Sequence, residues 1–361
     1  MQIDMHYYGT YAMARAAGLT QDVSTVIATA AQFVDDNGDK AHIEFPDGGR
    51  LDSQATAHHA FHHRNIDPED QRQIWVPFHF LPGNKGDSYT QKLICEMNSP
   101  VVEEMVQFNL AQIDQPYALP LLGITAHVYA DTFSHYGFSG VSSRKNKIIN
   151  DSFKFHQLAP KMKKYIIQKA KQFEEEYSNE GILDNIKSWF AETFSGALGH
   201  GAVVTFPDRP YLIWEFTYED PKKKSGVRNN PETYLQCARG LHGLFSKAAE
   251  NRPELSDGKG LSFSKIEGRV KDIIGLQAPK ADRIAAWKRA AQSRKLFAAG
   301  AEEIPDYDGG SQWLNERHGL CRAKDSSDAC GTDIFRFYQA ASVHRVHVLR
   351  HLLPKHGLVV A

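Results

Sequence analysis

Three side chains in the segment GITAHVYADTFSHYGF (123–138) have the types and spacing of a metal-binding row: His127, Asp131 and His135. On an α-helix each step of four residues advances about 6 Å and rotates by only about 40°. The three side chains then form one slanting stripe. Imidazole nitrogen and carboxylate oxygen are good zinc ligands. Neighbours at i and i+4 can share one ion, and all three together line two ions, with Asp131 as the bridge. A satisfied polar network is the competing reading. However, Leu121, Ile124, Val128 and Phe138 bring the stripe close to the apolar face, where burying His, Asp and His without a partner is costly.

Other residues extend the set. The chain carries 17 histidines, and many cluster before position 136. Asp4 and His6 alternate with apolar residues in IDMH, which in an extended segment places both on one side. Asp35 and Asp36 fall at the end of an expected helix, where carboxylates oppose the macrodipole unless a cation compensates. His58 pairs with His62, and His59 with His63, at helical spacing in ATAHHAFHHRN (55–65); the two pairs lie on adjacent faces, so only one can face a site. His79 sits in the proline-framed WVPFHFLPGN, and His200 lies between two glycines that permit close backbone approach. His344, His347 and His351 also form a row, but interleaved arginines suggest a solvated amphipathic face.

The elements that must position these residues are mostly helical. Thr20 can cap a helix through Val23, Val26, Ile27, Ala30 and Phe33. AHIEFPDGGRL (41–51) reads as a short hairpin or loop, and Asp52 or Ser53 as the cap of a helix over residues 57–64. Helical pattern returns over 90–110, 121–138, 160–177, 182–197, 233–249, 264–274, 281–299 and 332–353. GHGAVVTFPDRPYLIWEF (199–216) reads as a buried loop feeding a short extended piece. The expected fold is all-α, a multi-helix single domain with short irregular or β-hairpin insertions. Its metal-binding core spans 1–218, a polar loop 219–232, and helices packed on the same domain 233–361.

Composition narrows the function classes. A formal charge of -1 gives no general drive toward nucleic acid or anionic membrane, so no stable nucleic-acid binding is expected. No apolar run reaches transmembrane length, and the polar N-terminus lacks a leader's apolar core; the expectation is a cytoplasmic protein of open oligomeric state. None of the four cysteines forms a CxxC pair, although Cys321 and Cys330 are near enough in sequence to close a small loop. P-loop, Rossmann, HExxH and GxSxG signatures are absent.

The constellation resembles the superfamily of bacterial zinc-dependent phospholipase C and fungal single-strand-specific nucleases. The likeness rests on HxxxD at His127 and Asp131 followed by His135, with His6, Asp35 or Asp36, and His58 in the expected order. It implies an all-helical fold holding two or three zinc ions in a cleft, with Asp131 bridging two of them. Family members often have five residues between the Asp and the next His, whereas this chain has three. Their N-terminal amine and Trp bind metal after leader cleavage; this chain has no N-terminal Trp, so Asp4 would assist His6. His200 is the best match to the remaining family His. The chain is also similar, over about its first 215 residues, to a bacterial family of no assigned activity that shares IDxH, QFVDD, PFHFLPG and AHVYADTxxH.

The expected function is therefore a metal-dependent hydrolase, a phosphoesterase acting on a phosphodiester or phospholipid through a metal-activated water, with zinc or another divalent ion as cofactor. Asp35 or Asp36 would be both ligand and general base. A metal-stabilised structural or interaction module without catalysis is the alternative; the number of available ligands, larger than one closed tetrahedral site needs, favours the enzyme.

Overall fold

The computed structural model describes residues 1–58, 68–141, 143, 146–149, 152–179, 205–293 and 295–361. At its centre lie two helices, Gln21–Asp36 and Ala118–His135. The first begins where the sequence places it: the Thr20 hydroxyl accepts from the Val23 amide at 3.4 Å. The two helices touch at Gly123. A Cβ there would meet the Ile27 carbonyl oxygen at 2.4 Å and the Ala30 Cβ at 2.5 Å, so only glycine admits this approach.

The Ala118–His135 helix is buried almost all round, which is why its sequence shows little amphipathic contrast. Helices Pro100–Leu110, Asn230–Asn251 and Asp333–His347 pack on it as well. Leu122, Ala126, Ala130 and Phe133 enter one apolar cluster. Leu121, Ile124 and Val128 enter a second. His127, Asp131 and His135 are left on the stripe between them, toward the C-terminal end of helix Gln21–Asp36.

The protein is predominantly helical with three small sheets among the described residues, and several local expectations need correction. IDMH is not extended: Asp4–Gly9 forms a turn of π-helix that runs into helix Thr10–Ala16. In a helical turn a step of two residues points the side chains to roughly opposite faces, so Asp4 and His6 diverge instead of sharing a side. Residues 55–58 are not helical, and the remainder of the expected 57–64 helix lies outside the described residues. The 90–110 pattern divides into Tyr89–Lys92 and Pro100–Leu110, because Pro100 opens the second helix behind its Ser99 cap. The expected 182–197 helix lies outside the described residues. The 281–299 helix stops at Gln292, and Ser311–Leu320 is a helix that periodicity did not reveal.

The hairpin appears as His42–Glu44 paired with Arg50–Asp52. Ile213–Glu215 pairs with Lys154–His156 on one side and Arg228–Asn229 on the other. The stretch 219–232 is thus more than a polar loop. Arg228 is buried, with its guanidinium 3.5 Å from the Tyr136 ring centre. It donates to the Ser134 and Tyr136 carbonyl oxygens at 2.9 and 2.8 Å, closing the C-terminus of the Ala118–His135 helix where a cation is favoured. All four cysteines are free, and no helix among the described residues is long and apolar enough to cross a membrane.

Candidate metal centre

Three donor atoms form a nearly equilateral triangle. His79 Nδ1 and His127 Nε2 are 3.2 Å apart. Asp131 Oδ2 lies 3.2 Å from the first and 3.1 Å from the second. The far nitrogen of each imidazole is already committed: His127 Nδ1–H donates to the Ala31 carbonyl at 2.7 Å, and His79 Nε2–H to the Thr56 carbonyl at 2.9 Å. A carbonyl oxygen can only accept, so these bonds fix both tautomers and turn two ring lone pairs toward each other. Facing lone pairs repel unless a cation lies between them. Burial holds His127 down at about 4, so a proton does not fill that role near neutrality. Two nitrogens bound to one zinc at 2.0–2.1 Å with a tetrahedral angle stand about 3.3 Å apart, close to the observed spacing.

His6 comes from the other side. Its Nε2 is 3.1 Å from Asp131 Oδ1, and its ring stacks on His127 with centroids 3.9 Å apart. It is fully buried, yet neither ring nitrogen makes a well-formed hydrogen bond. Burial, then His127 and the nearby amine, keep it neutral. Asp131 therefore offers one oxygen to His79 and His127 and the other to His6. The Met1 α-amino group donates to Asp131 Oδ1 at 2.6 Å and lies 3.4 Å from Asp208 Oδ1. Burial penalises that ammonium, but Asp131, Asp208 and Asp35 outweigh it and raise the group from 8.0 to about 11. His135 extends the row: its Nδ1–H donates to the His79 carbonyl at 2.7 Å, and its Nε2 points to Asp208 at 3.6 Å.

Asp35 and Asp36 have separate places. Asp35 stands at the rim, with a third of its side chain exposed, 3.8 Å from His79 Nδ1 and 3.9 Å from His127 Nε2 and His6 Nε2. Burial and the like charges of Asp131, Asp36 and Asp208 push its carboxyl up, an unfavourable accumulation that a cation relieves. Asp36 is held by Tyr307, whose hydroxyl donates to it at 2.7 Å. Two donor groups, His6–His127–Asp131 and Asp35–His79–His127, are each compact enough to surround an ion.

The other expected residues lie elsewhere. Asp4 does not assist His6; its carboxylate accepts from Arg283 at 2.7 and 3.1 Å in a buried pair. His58 Nε2 lies 3.2 Å from Asp70, beside a surface pocket of about 390 Å³ lined by Lys40, Asp70 and Arg345. His200, His59, His62 and His63 lie outside the described residues. His344 is not solvated: its Nε2–H donates to the Pro77 carbonyl at 2.9 Å, and its Nδ1 accepts from Asn109 at 3.1 Å. Sequence reasoning missed Asp208 and the Met1 amine. Asp208 lies in TFPDRPY, a stretch marked by its glycine and proline punctuation but lacking a ligand spacing.

Residues 1–352 match a family described as "Family of unknown function (DUF6765)", and the chain belongs to that family. No curated protein and no solved structure matches it.

Proposed function

We propose that His79, His127 and Asp131 hold a divalent metal ion, zinc by the chemistry of the donors, and that the chain is a metal-dependent hydrolase of phosphate esters. The observation that carries the metal is the triangle, with both imidazoles anchored through their far nitrogens to backbone carbonyls, the outer arrangement that orients metal-binding histidines. Asp35 completes the set at the rim. The other oxygen of Asp131 faces His6 but already accepts from the Met1 ammonium, so a second ion there would replace that ammonium. When bound, zinc supplies a Lewis acid and lowers the pKa of water.

The chain's own residues set the rest. Asp131 divides its oxygens between two histidine groups. Among the described residues, Asp35 is the carboxylate of the cluster that combines reach to the donors with exposure, which suits it to take a proton from an incoming water. Phosphodiester or phospholipid hydrolysis is the reading that the resemblance of HxxxD and His6 implies, and the exposed rim at Asp35 supports an open position over a closed structural site.

The deep burial of His6, His127 and Asp131 favours a second reading, in which the ion only ties helices together. Zinc content measured alongside turnover of bis(p-nitrophenyl) phosphate separates the two. Turnover that chelation removes and zinc restores supports the hydrolase. Bound zinc without turnover, but with a chelator-dependent loss of stability, supports the structural role and overturns the hydrolase.

A further inference from the structure

Most buried arginines of this protein have a carboxylate, or two carbonyl oxygens, as partners. Arg283 pairs with Asp4, and Arg15 with Glu302 and Asp257. Arg228 closes a helix C-terminus through two carbonyl oxygens, although its Nε, too, has no partner among the described residues. Half-buried Arg345 donates to the carbonyl oxygens of Gln73 and Ala55 and to the Gln54 side chain. Arg209 is different. It is only 5% exposed, and no carboxylate faces it among the described residues. Its Nη2 donates to the Thr205 hydroxyl at 3.0 Å, and its guanidinium lies 5.7 Å from the Tyr165 ring centre. Its Nε has no partner among the described residues, and the hydroxyl of Tyr211, itself 3% exposed, meets the Arg209 guanidinium but makes no other well-formed hydrogen bond there.

These two groups belong together. Burial pushes the Tyr211 phenol up and the charge of Arg209 draws it back, as expected of a hydroxyl set against the guanidinium. The turn that carries them is rigidly held. The Asn230 side chain donates to the carbonyls of Phe206 at 3.0 Å and Arg209 at 2.8 Å, and Tyr234 donates to that of Pro207 at 2.8 Å. The same turn delivers Asp208 to the metal centre. A buried guanidinium without a counter-charge is unfavourable, and its planar fork matches the oxygens of a phosphate.

We infer that Arg209 and Tyr211 form a binding site for a phosphate oxyanion, beside the Asp208 edge of the metal centre. Arg209 Nε and the Tyr211 hydroxyl are the donors, and the site gives the phosphate group of a substrate, or free phosphate released from one, a place that does not require the metal. The inference rests on the phosphate-ester reading for its role in turnover, though not for the binding itself.

The test is calorimetric titration of inorganic phosphate into the whole protein, both stripped with EDTA and loaded with zinc. Phosphate should bind the stripped wild type. Arg209→Gln should weaken that binding at least about tenfold and Tyr211→Phe by a smaller factor, as expected for losing charge-assisted bonds. Zinc content should remain unchanged. If Arg209→Gln fails to fold, Arg209→Lys and Tyr211→Phe carry the test. No phosphate binding by stripped wild type, or equal binding by the variants, overturns the inference. Phosphate that binds only the zinc-loaded protein, indifferent to both substitutions, overturns it while leaving the metal reading intact. Arg209-dependent binding in a protein that never takes up zinc supports it while the metal reading fails.

Discussion

The Nδ1 of His127 lies 2.7 Å from the carbonyl oxygen of Ala31 on the neighbouring helix, and this bond decides which ring nitrogen faces the cluster. It forms because Gly123, one helical turn earlier, lets the two backbones touch. Close helix packing and the orientation of the His127 imidazole are therefore one feature.

Gly123→Ala should test that coupling. The added methyl group has no space between the Ile27 carbonyl and Ala30, so the helices must separate. Overpacking of this kind costs about 1–3 kcal/mol. Urea denaturation should report that loss, and competition against a zinc chelator should show weaker binding, because the His127 anchor lengthens. Wild-type stability and affinity in the variant would show that the helix contact does not position the imidazole.

Asp4→Asn separates the geometry from the family likeness. The likeness places Asp4 beside His6 as a ligand, whereas the structure pairs it with Arg283. Removing one partner of a buried ion pair costs about 3–5 kcal/mol. The variant should be less stable in urea yet retain wild-type zinc stoichiometry. Lost zinc in a variant that remains folded would restore Asp4 as a ligand.

His344, which is not one of the donors, gives a pH dependence of stability. Burial lowers its folded pKa from 6.5 to about 4. The unfolded chain therefore takes up a proton below about 6.5 that the folded chain refuses until about 4. Its contribution to stability is complete above 6.5 and is lost as pH falls through that window, by roughly 3 kcal/mol at most. Urea midpoints at pH 7 and pH 4.5 should diverge less in His344→Gln than in the wild type. An identical pH dependence in both would show that His344 is protonated in the folded state.

Much of the helical framework and the central row was legible in the sequence because it follows from period and spacing. His127, Asp131 and His135 declare themselves at i, i+4 and i+8, and Thr20 declares its cap. Local pattern could not say which of Asp35 and Asp36 turns inward; that depends on Tyr307, 271 positions away, which takes Asp36. Nor could it assign His79, whose loop showed apolar neighbours and no ligand spacing. Asp4 was misplaced because alternation suggests a strand, and here a π-helical turn replaces it. Asp208 and Arg209 reach their positions through the Asn230 and Tyr234 side chains, a long-range arrangement with no local signature. The activity itself was never legible beyond resemblance, because phosphate chemistry depends on what a metal centre binds and not on its ligand spacing alone.

The central claim is that the triangle of His79, His127 and Asp131 holds a metal ion, and elemental analysis of the purified, dialysed protein tests it most directly. Wild type should retain at least about one zinc per chain, consistent with the donor set. Folded His127→Ala should retain clearly less. A wild-type protein that purifies without metal, and takes up none when zinc is added, would contradict the account.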